Sequence, residues 1–169
     1  MAQSVELLLD EQAESTIRHQ WELLADAGLA KPPPASVRPH ITLFAADDLS
    51  PEREPALSGV LDSLDLEVCI GALMIFGPRR GRVILVRQVT PSLALLCLQT
   101  RVAEICGAEA AGQFGPGRWS PHVTLARRIL VDRIGDALTA LGPTADRPLL
   151  TKVSGCRRWD GVNRTAWLL

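Results

Sequence analysis

The sequence predicts a single α+β domain over residues 1–169, built from two β-α-β halves that span roughly 1–76 and 83–169 and are related by a pseudo-two-fold repeat. Three observations predict it. The order strand, helix, strand, helix, strand is spelled twice along the chain. The pentapeptide Pro-His-(Ile/Val)-Thr-Leu occurs at 39–43 and returns at 121–125, about eighty residues on. A chain of 169 residues with 47% hydrophobic content is also long and apolar enough to bury one core unaided.

Each element has a local reason. "SVELLLD" (4–10) reads as a strand, and Asp10 caps a helix whose Ala13, Ile17, Trp21 and Leu24 form one stripe, stopped by Gly28. The Pro-rich loop "KPPPASV" (31–37) leads into the strand that carries His40. Ser50-Pro51 then supplies a cap and a first-turn proline for a short helix over 51–62, followed by the apolar strand "LEVCIGALMIF" (66–76). After the turn "GPRRGR" (77–82), "VILVRQV" (83–89) is a strand. Thr90-Pro91 opens a helix with Leu95, Leu98, Val102 and Ile105 inward, stopped by Gly107. A Gly-rich loop (107–119), the strand of His122, a helix near 132–141 and strands at 149–156 and 163–169 complete the second half.

Charge and cysteine content narrow the function classes. Eighteen Lys and Arg against nineteen Asp and Glu give a net charge of −1, which leaves no large basic field for long duplex nucleic acid. A short anionic ligand fits better. Cys69, Cys97, Cys106 and Cys156 form no Cys-x-x-Cys pair and read as reduced, buried thiols of a cytoplasmic protein. No apolar run approaches membrane length and "MAQSVELLLDEQ" lacks a basic leader, so no membrane partner is expected, and the chain is expected to act as a monomer.

The repeated motif carries the chemistry. In a strand, His40 and Thr42 project from one face while Ile41 and Leu43 project from the other, and the same holds for His122 and Thr124. Proline lacks an N–H and suits the opening of each strand. Two equivalent halves packed face to face bring both His-Thr pairs to one groove, where Thr hydroxyls donate to phosphate oxygens and the imidazoles exchange protons near neutral pH. One histidine can be base and the other acid. This chemistry needs no metal and no cofactor, and neither tetrapeptide "HITL" nor "HVTL" contains further ligands at zinc spacing. His19 lies opposite the apolar stripe of its helix and reads as solvated.

His-x-Thr-x twice, within two β-α-β halves, resembles the two-histidine (2H) phosphoesterase superfamily, and within it the bacterial 2′-5′ RNA ligase and RNA 2′,3′-cyclic phosphodiesterase branch. The resemblance implies that His40 and His122 are catalytic and that Thr42 and Thr124 anchor phosphate. It implies two lobes of antiparallel-rich sheet lining a central cleft, with helices outside. The implied substrate is a nucleotide or short RNA end bearing a cyclic or 2′-5′ phosphate. In that branch the second motif runs on as His-x-Thr-Leu-x-Arg, and "HVTLAR" supplies Arg127. The first motif instead continues as "HITLFAADDL", which favours a general phosphodiesterase over tRNA-sized substrates. RNA ligation, the same chemistry reversed, and a non-catalytic module that senses a phosphate or RNA end are the alternative readings.

Further candidate substrate contacts follow from position. Arg38 shares the parity of His40 and points toward the groove mouth or into solvent. Arg127 has the wrong parity for the His122 face unless a bulge or strand end turns it. Trp119 and Phe114, just before the second motif, either stack on a base or plug the core. Arg79, Arg80 and Arg82 form a hairpin tip that is either solvated or a lip steering phosphate.

Overall fold

The computed structural model describes residues 3–34, 36–61, 65–107, 112–115 and 117–169. Residue 35 of the Pro-rich loop, residue 62 at the expected end of the second helix, and 108–111 and 116 of the Gly-rich loop lie outside the described residues. The first half runs β1 (Gln3–Leu9), α1 (Glu11–Asp26), β2 (His40–Ala46), α2 (Glu54–Leu61) and β3 (Glu67–Arg79). The second runs β4 (Arg82–Val89), α3 (Leu93–Cys106), β5 (His122–Leu130), α4 (Ile134–Leu141) and β6 (Leu149–Asp160), and β7 (Thr165–Leu168) closes the chain.

Local chemistry sets these boundaries. The Asp10 carboxylate accepts from the Ala13 N–H and caps α1. In α3 the cap is Ser92, two residues past the expected Thr90-Pro91 start, because its hydroxyl accepts from the Leu95 N–H. Gly107, at φ 88°, ends that helix in the left-handed conformation. Strand β3 runs three residues beyond the expected Phe76 because Arg80 and Gly81, both at positive φ, make a two-residue turn that carries the hairpin straight into β4. Strand β6 outruns its expected end at 156 because it pairs with the whole of β1, to Gln3 opposite Asp160.

All pairings are antiparallel, in the order β1-β2-β5-β4-β3-β6-β7, with β1 also paired to β6. Six strands therefore close into a ring, sealed on one side by four β3–β6 pairs and on the other by a single β2–β5 bridge, Ile41 to Val123. The halves exchange strands: β3 joins β4 of the second half, and β6 joins β1 of the first. Helices pack in the same crossed way, α1 against α4 and β5, and α3 against α2 and β2. The core lies between helices and the outer face of the ring. There Val5, Leu7, Leu9, Ile41, Leu43, Val83, Leu85 and Val123 meet Ile17, Leu24, Leu95 and Val102. Each such fully buried aliphatic side chain contributes about 1.5–3 kcal/mol. Leu8 and Val86 are as deeply buried but lie outside that cluster, on the inner face.

Candidate active site

The single bridge between β2 and β5 decides where the motifs meet. Ile41 and Val123 are partners and point into the core, so their neighbours His40, Thr42, His122 and Thr124 all project from the inner face. Continuing that antiparallel register by one residue either way sets His40 opposite Thr124 and Thr42 opposite His122. Two motifs about eighty residues apart in sequence thus become four adjacent side chains on neighbouring strands.

The backbone treats the two motifs alike. His40 donates its Nδ1–H to the Arg38 carbonyl at 2.8 Å, and His122 donates its Nδ1–H to the Ser120 carbonyl at 2.7 Å. A carbonyl only accepts, so both rings carry the proton on Nδ1 and leave Nε2 for proton exchange. Directly after each Thr the strand bulges. Leu43 is the extra residue between the Glu6–Thr42 and Val5–Phe44 pairs, and Leu125 is the extra residue between Val86–Thr124 and Leu85–Ala126. The carbonyl ahead of each bulge takes an indole N–H, Trp119 to Thr42 at 2.9 Å and Trp21 to Thr124 at 3.0 Å. Each donor comes from the half that does not own the motif.

These contacts place the remaining candidates. The Leu125 bulge flips strand parity, so Arg127 pairs with Ile84 as Thr124 pairs with Val86, and it shares their inner face. Arg127 is exposed, and its charge is felt at the His122 ring. Arg38 is tied instead to Glu14 of α1, at 2.7 Å, beside Arg18 on the same carboxylate. Burial works against the Glu14 charge, but the two guanidiniums hold its carboxyl below the usual range. Arg38 therefore lines an open groove of about 920 Å3 along α1 with Glu11, His19 and Glu22, and it reaches His40 only through its carbonyl. His19 is mostly exposed, as its helix position requires. Trp119 and Phe114 pack against the core, Phe114 with its ring 6.2 Å from Phe44 and its carbonyl accepting from Gln99.

The side chains around the two imidazoles differ. Beside His40 lies Glu6, 3% exposed, with Oε1 3.5 Å from Nε2. The Ser4 hydroxyl donates to the same oxygen at 2.7 Å, and buried Arg157 donates Nε–H to Oε2 at 2.8 Å. Beside His122 stands Phe76, edge-on at 4.8 Å between ring centroids. Burial pushes the His122 pKa down from its ordinary value; the Ser120 carbonyl opposes this, while the charges of His40 and Arg127 add to it. Sequence reasoning missed Glu6, Ser4, Arg157 and Phe76. Glu6 did leave a signal, as the one carboxylate inside the apolar strand "SVELLL".

Elsewhere the chemistry is quiet. All four cysteines are free, and burial raises Cys106 to about 11 and Cys156 to about 12. Cys69 is half-buried, and Cys97, against expectation, is exposed, because it sits between the inward positions Leu95 and Leu98 of α3. Among the described residues no three His, Cys, Asp or Glu side chains converge on a metal position, and no helix is long and apolar enough to cross a membrane.

Comparison with known proteins gives the family and the fold. Residues 10–158 match the model of the 2′-5′ RNA ligase superfamily. No curated protein matches in sequence. Among solved structures, TT0787 of Thermus thermophilus superposes with TM-score 0.61 at 19% identity, over 100% of this chain and 95% of that one. E. coli LigT, solved with NADP+, gives 0.57 at 18% identity over 99% and 92%. Usb1 of Kluyveromyces marxianus, solved with uridine monophosphate, gives 0.54 at 10% identity over 99% and 98%. The chain belongs to the 2′-5′ RNA ligase superfamily, within the two-histidine phosphoesterases.

Proposed function

We propose that this member of the 2′-5′ RNA ligase superfamily is a metal-independent phosphodiesterase that opens a cyclic phosphate, or cleaves a 2′-5′ or 3′-5′ linkage, on a nucleotide or short RNA end. One observation carries the reading: a single strand bridge gathers two His-Thr pairs on one face, with both Nδ1 atoms spent on carbonyls and both Nε2 atoms left for exchange. The nucleotides bound by LigT and Usb1 support the ligand class.

The roles proposed here follow the different surroundings of the two rings. His122, whose pKa burial pushes down, serves as the base: Nε2 takes a proton from water as the water oxygen bonds to phosphorus. The bond from phosphorus to the ribose 2′- or 3′-oxygen breaks, and His40 Nε2 delivers the proton to that oxygen. Glu6 Oε1, 3.5 Å from His40 Nε2, faces the proton that is to be transferred, and Arg157 balances the carboxylate so that it does not repel the phosphate. Thr42 and Thr124 donate to the non-bridging oxygens, and Arg127 offsets charge in the pentacovalent transition state. Ligation would use the same steps with a hydroxyl of a second RNA end in place of water: it bonds to the phosphorus of the cyclic phosphate and gives its proton to one imidazole, while the ribose 2′- or 3′-oxygen leaves and takes a proton from the other.

The test is turnover of a nucleoside 2′,3′-cyclic monophosphate by the wild-type chain with and without chelator. Activity that survives chelation and disappears in both His40→Ala and His122→Ala supports the reading. A folded wild-type protein that binds the nucleotide without turnover would make it a sensing module instead.

A further inference from the structure

The two motif strands leave the bridge in opposite directions, and their far ends carry opposite charge. Strand β2 runs from His40 to Ala46 and meets Gln3, which is also the partner of Asp160; Asp47 and Asp48 follow at once, exposed. Strand β5 runs the other way, from His122 to Arg127. Beyond Thr124 the inner face presents Arg127 opposite Ile84, then Arg82 two residues further along β4, then Arg79 directly opposite Arg82 on β3. All three arginines are exposed. No carboxylate pairs with any of them among the described residues, whereas Arg38, Arg133, Arg157 and Arg158 each have one. Arg82 is further held by the Arg128 carbonyl at 2.8 Å. At the position matching Arg127, two places past its own bulge, the first half has Ala45.

From this polarity we infer that Arg79 and Arg82, continuing from Arg127, form a subsite for the phosphodiester backbone of single-stranded RNA whose reacting end lies at the histidines. The inference rests on the phosphodiesterase reading. Two residues along a strand advance about 7 Å and one strand across about 5 Å, so the arginines meet a backbone leaving the site one phosphate after another. Exposed Asp47 and Asp48 disfavour the opposite exit. A mononucleotide ends before Arg82 and does not feel it.

The experiment compares two probes, a hexaribonucleotide ending in a 3′-phosphate and uridine 3′-monophosphate, on wild type and on Arg79→Gln/Arg82→Gln. At 0.1 M salt the double variant is expected to bind the hexamer roughly 25-fold more weakly, and the slope of log Kd against log salt should fall by about 1.4, two contacts at about 0.7 each. Mononucleotide affinity should stay unchanged, and Arg79→Lys/Arg82→Lys should keep the wild-type slope. Unchanged hexamer binding, or an equal loss for both probes, would overturn the subsite. Binding needs no turnover, so the two failures look different: inactivity on every cyclic phosphate marks failure of the phosphodiesterase reading, and unchanged hexamer binding in an active enzyme marks failure of the subsite.

Discussion

Beside His40 the inner face carries a buried ion pair, Glu6 with Arg157, and beside His122 it carries an aromatic edge, Phe76, with the exposed Arg127 further along. Strand register makes the comparison position by position. Glu6 pairs with Thr42, and Val86 stands at the same place against Thr124. Arg157 lies opposite Glu6, and Met74 lies opposite Val86. Ser4 is matched by Ile84. What both halves keep is backbone: the bulge after Thr, the indole on the Thr carbonyl, the Nδ1–H given to the carbonyl two residues back. The scaffold is duplicated while its lining has diverged, and the proposed reaction, with one acid and one base, would draw on that divergence.

The bluntest way to break the comparison is to remove either imidazole. His40→Ala and His122→Ala should each lower kcat by about 10²–10⁴-fold, and the double variant should be little worse than the poorer single, because acid and base act as a unit. Steady-state kinetics on a cyclic mononucleotide measures this. A folded single variant with full activity would remove that histidine from the mechanism.

Next in size is Glu6→Gln. The substitution takes the counter-charge from His40 and leaves Arg157 buried without a carboxylate, so stability should fall by about 3 kcal/mol or more. Activity should fall by about 10-fold or more at constant folded fraction. Combining it with Arg157→Gln separates the two losses: urea unfolding should recover much of the stability, while turnover stays low. Turnover that recovered along with stability would make the pair a structural strut. The mirror position predicts the contrast, since Val86→Ala creates a small cavity and should cost about 1–2 kcal/mol with no effect on the acid.

The threonines should be more nearly equal. Thr42→Val and Thr124→Val keep strand shape and remove one hydrogen bond to a phosphate oxygen, each slowing turnover by about 10-fold and weakening inorganic phosphate as a competitor. A loss confined to one of them would show that the phosphate sits against a single lobe.

Legibility followed the range of the signal. Caps, helix stripes and the His-Thr faces depend on neighbouring residues, and Asp10, Gly107 and the two motifs could be read locally. Strand exchange could not, because alternation says that a segment is a strand without naming its partner. The bulges were half-visible. "TLF" and "TLA" each put two apolar residues in succession after Thr, and both of each pair point into the core. That doublet is the sign that turns Arg127 inward, which parity alone forbids. Trp119 and Phe114 stayed open between base stacking and core packing for a related reason: an aromatic in a Gly-rich loop fits both, and only the tertiary structure reveals that the two pack against the core and that the Trp119 N–H is used by Thr42.

The subtlest expected effect concerns protons at His122. Burial is the largest cause of its lowered pKa, so the acid limb of the kcat/KM profile, set by the base, should lie below the ordinary histidine range. Phe76→Ala admits water to the ring edge and should move that limb upward; Arg127→Gln removes a nearby positive charge and should move it upward by less, since charge is the lesser cause. The linkage to folding has a definite sign. Because the unfolded chain holds the proton more tightly, the stability contribution of His122 is complete above the unfolded pKa and is lost as pH falls through the lower folded one. Phe76→Ala should therefore flatten the acid side of the stability profile as well as shift the rate profile. Thermal melts across pH, read beside an NMR titration of the His122 ring, measure both in one protein. If the limb and the titration stayed put in both variants, the base would be another group, and the apolar side of the site would have lost its role.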